Sequence, residues 1–318
     1  MSIKKKGKQL FAVLLSIAMI ITTMPFGIVT ANAVTTQFAG GSGTKADPYL
    51  IETKEHLNNV RNDLNAHYKL IADIVFTDAD FAAGGDFYND ASGWAPIGNS
   101  EQNPFSGIFE GNNFSITGIE VSPAHLYNSA GLFGYTTGTI KNLNLYDVGM
   151  VLSVHAEYVF SRVGSITGTL INGNIDNCIV SGLIESAVTF EGNAYAGGIV
   201  GYALNASITS CTNKCTVRAT YIYNRTISFA GGIVGAATDC TISNCKNTGE
   251  IIASGFNDNN YAGGICGNSN STIISFSFNT ANVHAETSST SSNCNAYAGG
   301  IAGATSGECV SDCFNVGR

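Results

Sequence analysis

From about residue 131 onward, apolar positions come in short bursts of β-branched and aromatic residues, and each burst ends at Gly, Asn, Ser or Thr. That pattern predicts short strands separated by tight turns. No apolar period of 3.6 residues runs through it, and its glycines would break a helix, which argues against a helical or leucine-rich solenoid. The pattern also returns. Tyr195–Ala203 reads YAGGIVGYA and recurs as FAGGIVGAA from Phe229, YAGGICGNS from Tyr261 and YAGGIAGAT from Tyr297. The last glycine of each such phrase falls at Gly134, Gly168, Gly201, Gly235, Gly267 and Gly303, in steps of 34, 33, 34, 32 and 36 residues.

A second phrase keeps step with the first. Ten residues after the ruler glycine stands Cys178, Cys211, Cys245, Ser277 or Cys313. An Ile or Val precedes it by three residues, and Asn213, Asn247, Asn279 or Asn315 follows by two, except that Val180 takes that place in the second copy. Each unit then supplies two or three short strands and is too small to bury its own apolar side. Stacked units bury it for one another, one rung about 4.8 Å above the last. The expected fold is all-β: a parallel β-helix or β-solenoid of about 33-residue repeats. Equivalent residues lie over one another in such a stack, so the Asn sites form a hydrogen-bonded ladder and the Cys sites a ladder of small buried hydrophobes.

Residues 34–130 do not follow the ruler and read as an N-terminal cap with the first irregular rungs, ahead of the repeats at 131–318. PYLI predicts a strand, and Thr53 caps a short helix from about Lys54 to Asn65 with Leu57, Val60 and Leu64 on one side. YKLIADIVF returns to strand, and PFSGIFEGNNFSITGIEVS predicts a hairpin-like rung.

The order GTKADPYLIETKEHLNNV, YKLIADI, WAPIG, FSGIFEGNNFSITGI, then repeated AGLFG and AGGIVG phrases, resembles the GLUG-motif family of secreted bacterial surface proteins over nearly all of residues 38–318. The family's F-D-G-N-G phrase departs here, with Glu110 and Asn113 in place of Asp and Gly. The resemblance implies a β-helical extracellular region of the kind found in large adhesin-like chains and some IgA-peptidase-like ones, where these repeats are not the catalytic part. It implies no particular ligand.

The first 33 residues have the three-part logic of a secretory leader: Lys4, Lys5, Lys6 and Lys8, an apolar stretch from Leu10, and Ala31-Asn32-Ala33 as cleavage site. Cleavage after Ala33 would place the chain outside the cell or on its surface. It would leave 11 basic against 23 acidic residues, an excess that argues against nucleic acid or an anionic membrane as partner. No later apolar run is long enough to span a membrane.

Candidate chemistry is sparse. A carbohydrate-active β-helix enzyme, lyase or hydrolase, needs two or three convergent carboxylates. The densest acids are Asp73, Asp78, Asp80, Asp86 and Asp90, ahead of Trp94. They lack the order of a calcium loop. Trp94 is either a stacking platform for sugar or a ring packed under the cap. Tyr195, Phe229, Tyr261 and Tyr297 recur just before the glycine phrase, as an outward stripe for sugar or peptide contacts or as an inward core stack. No metal, cofactor or catalytic residue is expected. Cys211/Cys215, Cys240/Cys245 and Cys309/Cys313 are near enough in sequence for local disulfides, with free thiols the alternative. CVSDCFNVGR stops inside a repeat, which suggests a longer natural chain. The expected role is structural or adhesive, toward an extracellular glycan or a host or matrix protein. The alternatives are the carbohydrate-active enzyme and a non-catalytic region of a larger peptidase.

Overall fold

Every strand ladder runs parallel, and each repeat climbs one rung of a four-walled stack. The computed structural model describes residues 37–122, 128–155, 159–221, 227–255, 259–288, 294–307 and 310–318. The expected leader at 1–33 and Cys309 lie outside the described residues. One rung shows the plan. Gly192–Gly197 lies in wall I, Val200–Leu204 in wall II and Ser207–Thr209 in wall III; Thr212–Asn213 and Thr216–Tyr221 share wall IV. The chain is a parallel β-solenoid.

This rung thus holds five short strands, more than the two or three expected, and the two rungs above it repeat the five; Asn144–Val154 and Ile179–Val188 run as single wall IV strands, so the two rungs below hold four. The two breaks that flank wall III are left-handed turn residues. Asn205 (φ 50°) turns wall II into wall III, and Ser210 (φ 56°) turns wall III into wall IV. Asn172, Asp239 and Ser271 repeat the first turn, and Asn177, Asn244, Phe276 and Asp312 repeat the second. Asn and Asp tolerate this backbone region; Phe276 is unusual there. Between the turns, inward positions stack. Ile140, Ile175, Ile208, Ile242 and Ile274 stand in register and are fully buried. Each contributes roughly 1.5–3 kcal/mol by burial.

The Asn ladder forms and is fully buried at Asn213, Asn247 and Asn279. The Nδ2 of Asn213 donates to Oδ1 of Asn247 (2.8 Å), Asn247 to Asn279 (2.7 Å) and Asn279 to Asn315 (2.8 Å). Each amide also closes its own turn. Asn247 Oδ1 accepts from Gly249 N and its Nδ2 donates to Gly249 O; Asn213 and Asn279 do the same with Cys215 and Ala281. The amide groups sit where a Cβ of Gly198, Gly232, Gly264 or Gly300 would go. The two sequence phrases keep step because the second glycine of one makes room for the Asn of the other.

The other glycines have different causes. A Cβ on Gly197, Gly231, Gly263 or Gly299 would strike the carbonyl three residues on. A Cβ on Gly201, Gly235, Gly267 or Gly303 would meet wall I backbone of the preceding rung at 3.0 Å or less. Walls I and II therefore pack backbone to backbone at that corner.

The cysteine column is more specific than a ladder of small hydrophobes. The Sγ atoms of Cys178, Cys211 and Cys245 point at the carbonyl two residues back, at 3.1–3.3 Å, across the left-handed turn. Ser277 makes the same bond at 2.9 Å. The position selects a small side chain with a donor. The same arrangement recurs at Cys240 and Thr272.

The N-terminal segment joins the same walls. Tyr49–Ile51, His67–Leu70 and Ile108–Glu110 are successive wall III strands below Thr139–Lys141. The PFSGIFEGNNFSITGI stretch is thus a parallel rung and not a hairpin. Asn112 and Asn113, at φ 52° and 63°, turn the chain to the next wall instead of reversing it. The first helix runs Lys54–Asn59 with Thr53 accepting from His56 N, then tightens to a 3-10 turn at Val60–Asn62. It stops short of Asn65 because Tyr68 Oη donates to the Asp63 and Val60 carbonyls. A second short helix, Asp78–Phe81, follows.

Asn247→Ala removes the central rung of the amide ladder and should cost about 1–3 kcal/mol, read as a lower urea midpoint. Two carboxylates add a pH dependence. Burial opposes the charge of Asp80, but hydrogen bonds from Lys54 and Thr77 outweigh it and hold its pKa below the ordinary value. Burial likewise opposes the charge of Glu110, and Asn142, Asn112 N and Lys141 outweigh it. Depressed carboxyl pKa values mean the unfolded chain binds more protons, so this stability is present above the unfolded pKa, about 4, and is lost as pH falls through the folded values. The Asp80→Asn, Glu110→Gln double variant should show a flatter decline of melting temperature below pH 4.

Candidate binding surface

In wall I, Ala194 and Ala196 point inward and are fully buried, so Tyr195 between them points outward. Strand register places Arg162, Tyr195, Phe229, Tyr261 and Tyr297 in one outward column. The rings stack face on face, with centroids 5.1, 5.3 and 4.9 Å apart and planes within 15°. Their flat faces are therefore occupied by one another, and edges and hydroxyls face the outside. Exposure rises toward the last described rung, from 7% at Phe229 to 42% at Tyr297. Burial raises the phenol pKa of Tyr195 and of Tyr261.

Wall II carries a facing column. Tyr135, Thr169, Tyr202, Ala236, Asn268 and Ala304 are in register. The two columns touch: Tyr195 meets Tyr202 edge to face at 5.8 Å, and Ser129 below Arg162 bonds Thr169 at 2.8 Å. Toward the cap, a recess of about 200 Å³ is lined by Glu101, Pro104, Tyr135, Thr137, Thr169 and Ile171. Sequence reasoning missed Arg162, Tyr135 and Tyr202. The signal was present: Arg162 stands six residues before its ruler glycine, as Tyr195 does, and Tyr135 and Tyr202 stand one residue after theirs.

Trp94 is far from this strip in character. It is 1% exposed, donates Nε1–H to the Leu132 carbonyl, and packs against Phe76 and the Arg61 guanidinium. This is the ring packed under the cap, with no open face for a sugar. The acids ahead of it divide. Asp73, Asp80 and Asp86 line one recess with Lys54, while Asp78 lines another with Glu120 and Asp147. Asp73 is held by Ser115 and Asp80 by Lys54 and Thr77, so both serve the cap. Where the family phrase has Asp and Gly, Glu110 ties down Asn112 N and Asn113 adopts the left-handed conformation, so the substituted pair still makes the turn.

A model described as the GLUG motif matches residues 192–218 and 230–252. The chain carries GLUG repeats. The matched residues are two consecutive rungs, each including a ring of the outward column or the glycine phrase beside it. A relative provisionally named a Gly-rich membrane protein, from Evansella cellulosilytica, is 42% identical over 45% of this chain and 15% of its own length. Halomucin of Haloquadratum walsbyi is 31% identical over 51% of this chain and 2% of its own. The chain thus spans a small part of these relatives. Among solved structures, a chain described as a candidate immunoglobulin A1 protease from Bacteroides ovatus superposes with a TM-score of 0.57 at 19% identity, covering 88% of this chain and 86% of that one. That likeness shows the fold. No helix among the described residues is long and apolar enough to cross a membrane.

The eight described cysteines are free thiols, so Cys211/Cys215 and Cys240/Cys245 are not bridged. Burial, then hydrogen bonding to Cys178, pushes the Cys211 thiol well up; hydrogen bonding to Cys211, then burial, does the same for Cys245. Burial pushes Cys215 up to about 12. Iodoacetamide at pH 8 should therefore label Cys294, which is partly accessible, while Cys178, Cys211 and Cys245 react only after unfolding, as read by peptide mass spectrometry.

Proposed function

We propose that this GLUG-repeat chain is a secreted or cell-surface β-solenoid with a structural and adhesive role. Its outer strip along walls I and II would meet extracellular ligands, glycans or host proteins. The supporting observation is the pair of touching outward columns, with four stacked rings on one side and Tyr135, Thr169 and Tyr202 on the other. A row of ring edges and hydroxyls, repeated once per rung, offers the same contacts to each unit of an extended ligand. The secretory pattern of residues 1–33 and the membrane-protein name of one relative support export. The carbohydrate-active alternative calls for Asp78, Asp80 and Asp86 in one groove beside a cation. Asp73, Asp80 and Asp86 share a recess with Lys54 while Asp78 lines another; within the shared recess Asp73 is held by Ser115 and Asp80 by Lys54 and Thr77, which favours the adhesive reading.

Position along the ring column separates binding from stability. Phe229→Ala empties a 7%-exposed site between two rings and should cost about 3–5 kcal/mol. Tyr297→Ala removes an outer ring with one described stacking partner and should cost about 1 kcal/mol or less. On immobilised glycans and matrix proteins, Tyr297→Ala should reduce retention several-fold while its melting curve stays close to wild type. Unchanged retention across every surface that holds the wild type would remove the strip from the adhesive role.

A further inference from the structure

The strip contains one cation in its ring column, and the contacts described above do not use its charge. Arg162 lies directly below Tyr195 in register, with Ser129 below it. Its guanidinium sits 5.1 Å from the centre of the Phe160 ring and 5.2 Å from that of Tyr202. Thr169 stands next to Tyr202 in wall II. None of these neighbours bears a negative charge. The ion pairs among the described residues are Lys54–Asp80, Lys141–Glu110 and His284–Glu286. Arg162 belongs to none of them, and among the described residues its buried Nε has no hydrogen-bond partner. A buried guanidinium nitrogen ordinarily finds a hydrogen-bond partner, because a polar atom held out of water unpaired is costly.

We propose that Arg162 is the carboxylate-recognising anchor of this strip and that the ligand is a carboxylated glycan, a proposal that rests on the adhesive reading above. Two aromatic rings hold the guanidinium in place, and its planar fork matches a carboxylate through two parallel hydrogen bonds. The groups around it suit sugar hydroxyls: the phenols of Tyr135, Tyr195 and Tyr202 and the amide of Asn193, which bonds Tyr195 Oη at 3.1 Å. Phe160 is 41% exposed and leaves apolar surface at the anchor for the C–H side of a sugar ring. An acidic peptide would call for several cations along the strip, and the column holds one. A neutral glycan would leave the guanidinium unpaired.

The test is titration calorimetry of the full chain with oligogalacturonate of four to six units, with cellohexaose as the neutral probe and poly-glutamate as the acidic peptide. Oligogalacturonate should bind at least tenfold more tightly than cellohexaose and weaken as salt rises. Arg162→Gln should lose at least tenfold in affinity for oligogalacturonate and leave cellohexaose unchanged. Arg162→Lys keeps the charge without the fork and should fall between. Equal affinity of folded Arg162→Gln for oligogalacturonate overturns the proposal, as does tighter binding of poly-glutamate. If the glutamine variant lacks the native circular dichroism spectrum, the lysine variant and the wild-type acid-to-neutral ratio decide. Binding of both sugars without preference removes the anchor and keeps the adhesive reading. Binding of neither overturns the anchor and leaves the adhesive reading to protein ligands.

Discussion

The solenoid depends on a contact between a side-chain amide and the space left by an absent one. Asn213, Asn247, Asn279 and Asn315 each occupy the place of a Cβ on Gly198, Gly232, Gly264 and Gly300. Three consequences follow from that seat. The amide bonds its own backbone two residues on, bonds the amide of the next rung, and brings wall IV against the corner between walls I and II. Buried amides without such bonds would be costly, and the ladder satisfies them with each other and with the backbone. A ladder of this kind also fixes register, because a one-residue slip would leave every amide facing a Lys, Thr, Phe or Val position.

The same corner creates the outer strip. Gly201, Gly235, Gly267 and Gly303 let wall II approach the wall I backbone of the rung below. The outward side chains of the two walls then converge, which is why Tyr195 reaches Tyr202 and Ser129 reaches Thr169. Stacking at about one rung spacing turns the rings edge-on to the outside. A sugar-binding platform usually offers a flat ring face; this column offers edges and hydroxyls, and an open flank at Phe160. Recognition here would therefore lean on hydrogen bonds and on Arg162 more than on stacking.

In the cap, acidic residues tie the segments of the solenoid together. Asp80 holds Lys54 and Thr77, Asp73 holds Ser115, and Glu110 holds Asn112, Asn142 and Lys141. Each closes a turn or ties neighbouring segments together. Such groups cluster in sequence as a catalytic dyad might, and only their partners distinguish the two cases. Trp94 is similar: its sequence position ahead of the repeats suits a platform or a plug, and its indole hydrogen bond to Leu132 makes it a plug.

Much of the fold was legible in the residues themselves. A 33-residue period of Gly, Ile, Cys and Asn positions can only stack, since no unit buries its own apolar side, and stacking puts equal positions in register. That determined the parallel β-solenoid, the Asn ladder and the existence of an aromatic column. Three matters needed the tertiary structure. The left-handed turns separate walls II, III and IV, because backbone dihedrals at Asn205 or Ser210 are set by packing as much as by residue type. The direction of the Tyr column follows from the alternation around Ala194 and Ala196, which a run of small residues and glycines does not reveal. The meeting of Arg162 with Phe160 and Tyr202 arises where two walls touch, and contacts between walls depend on distances in space that a one-dimensional spacing does not contain.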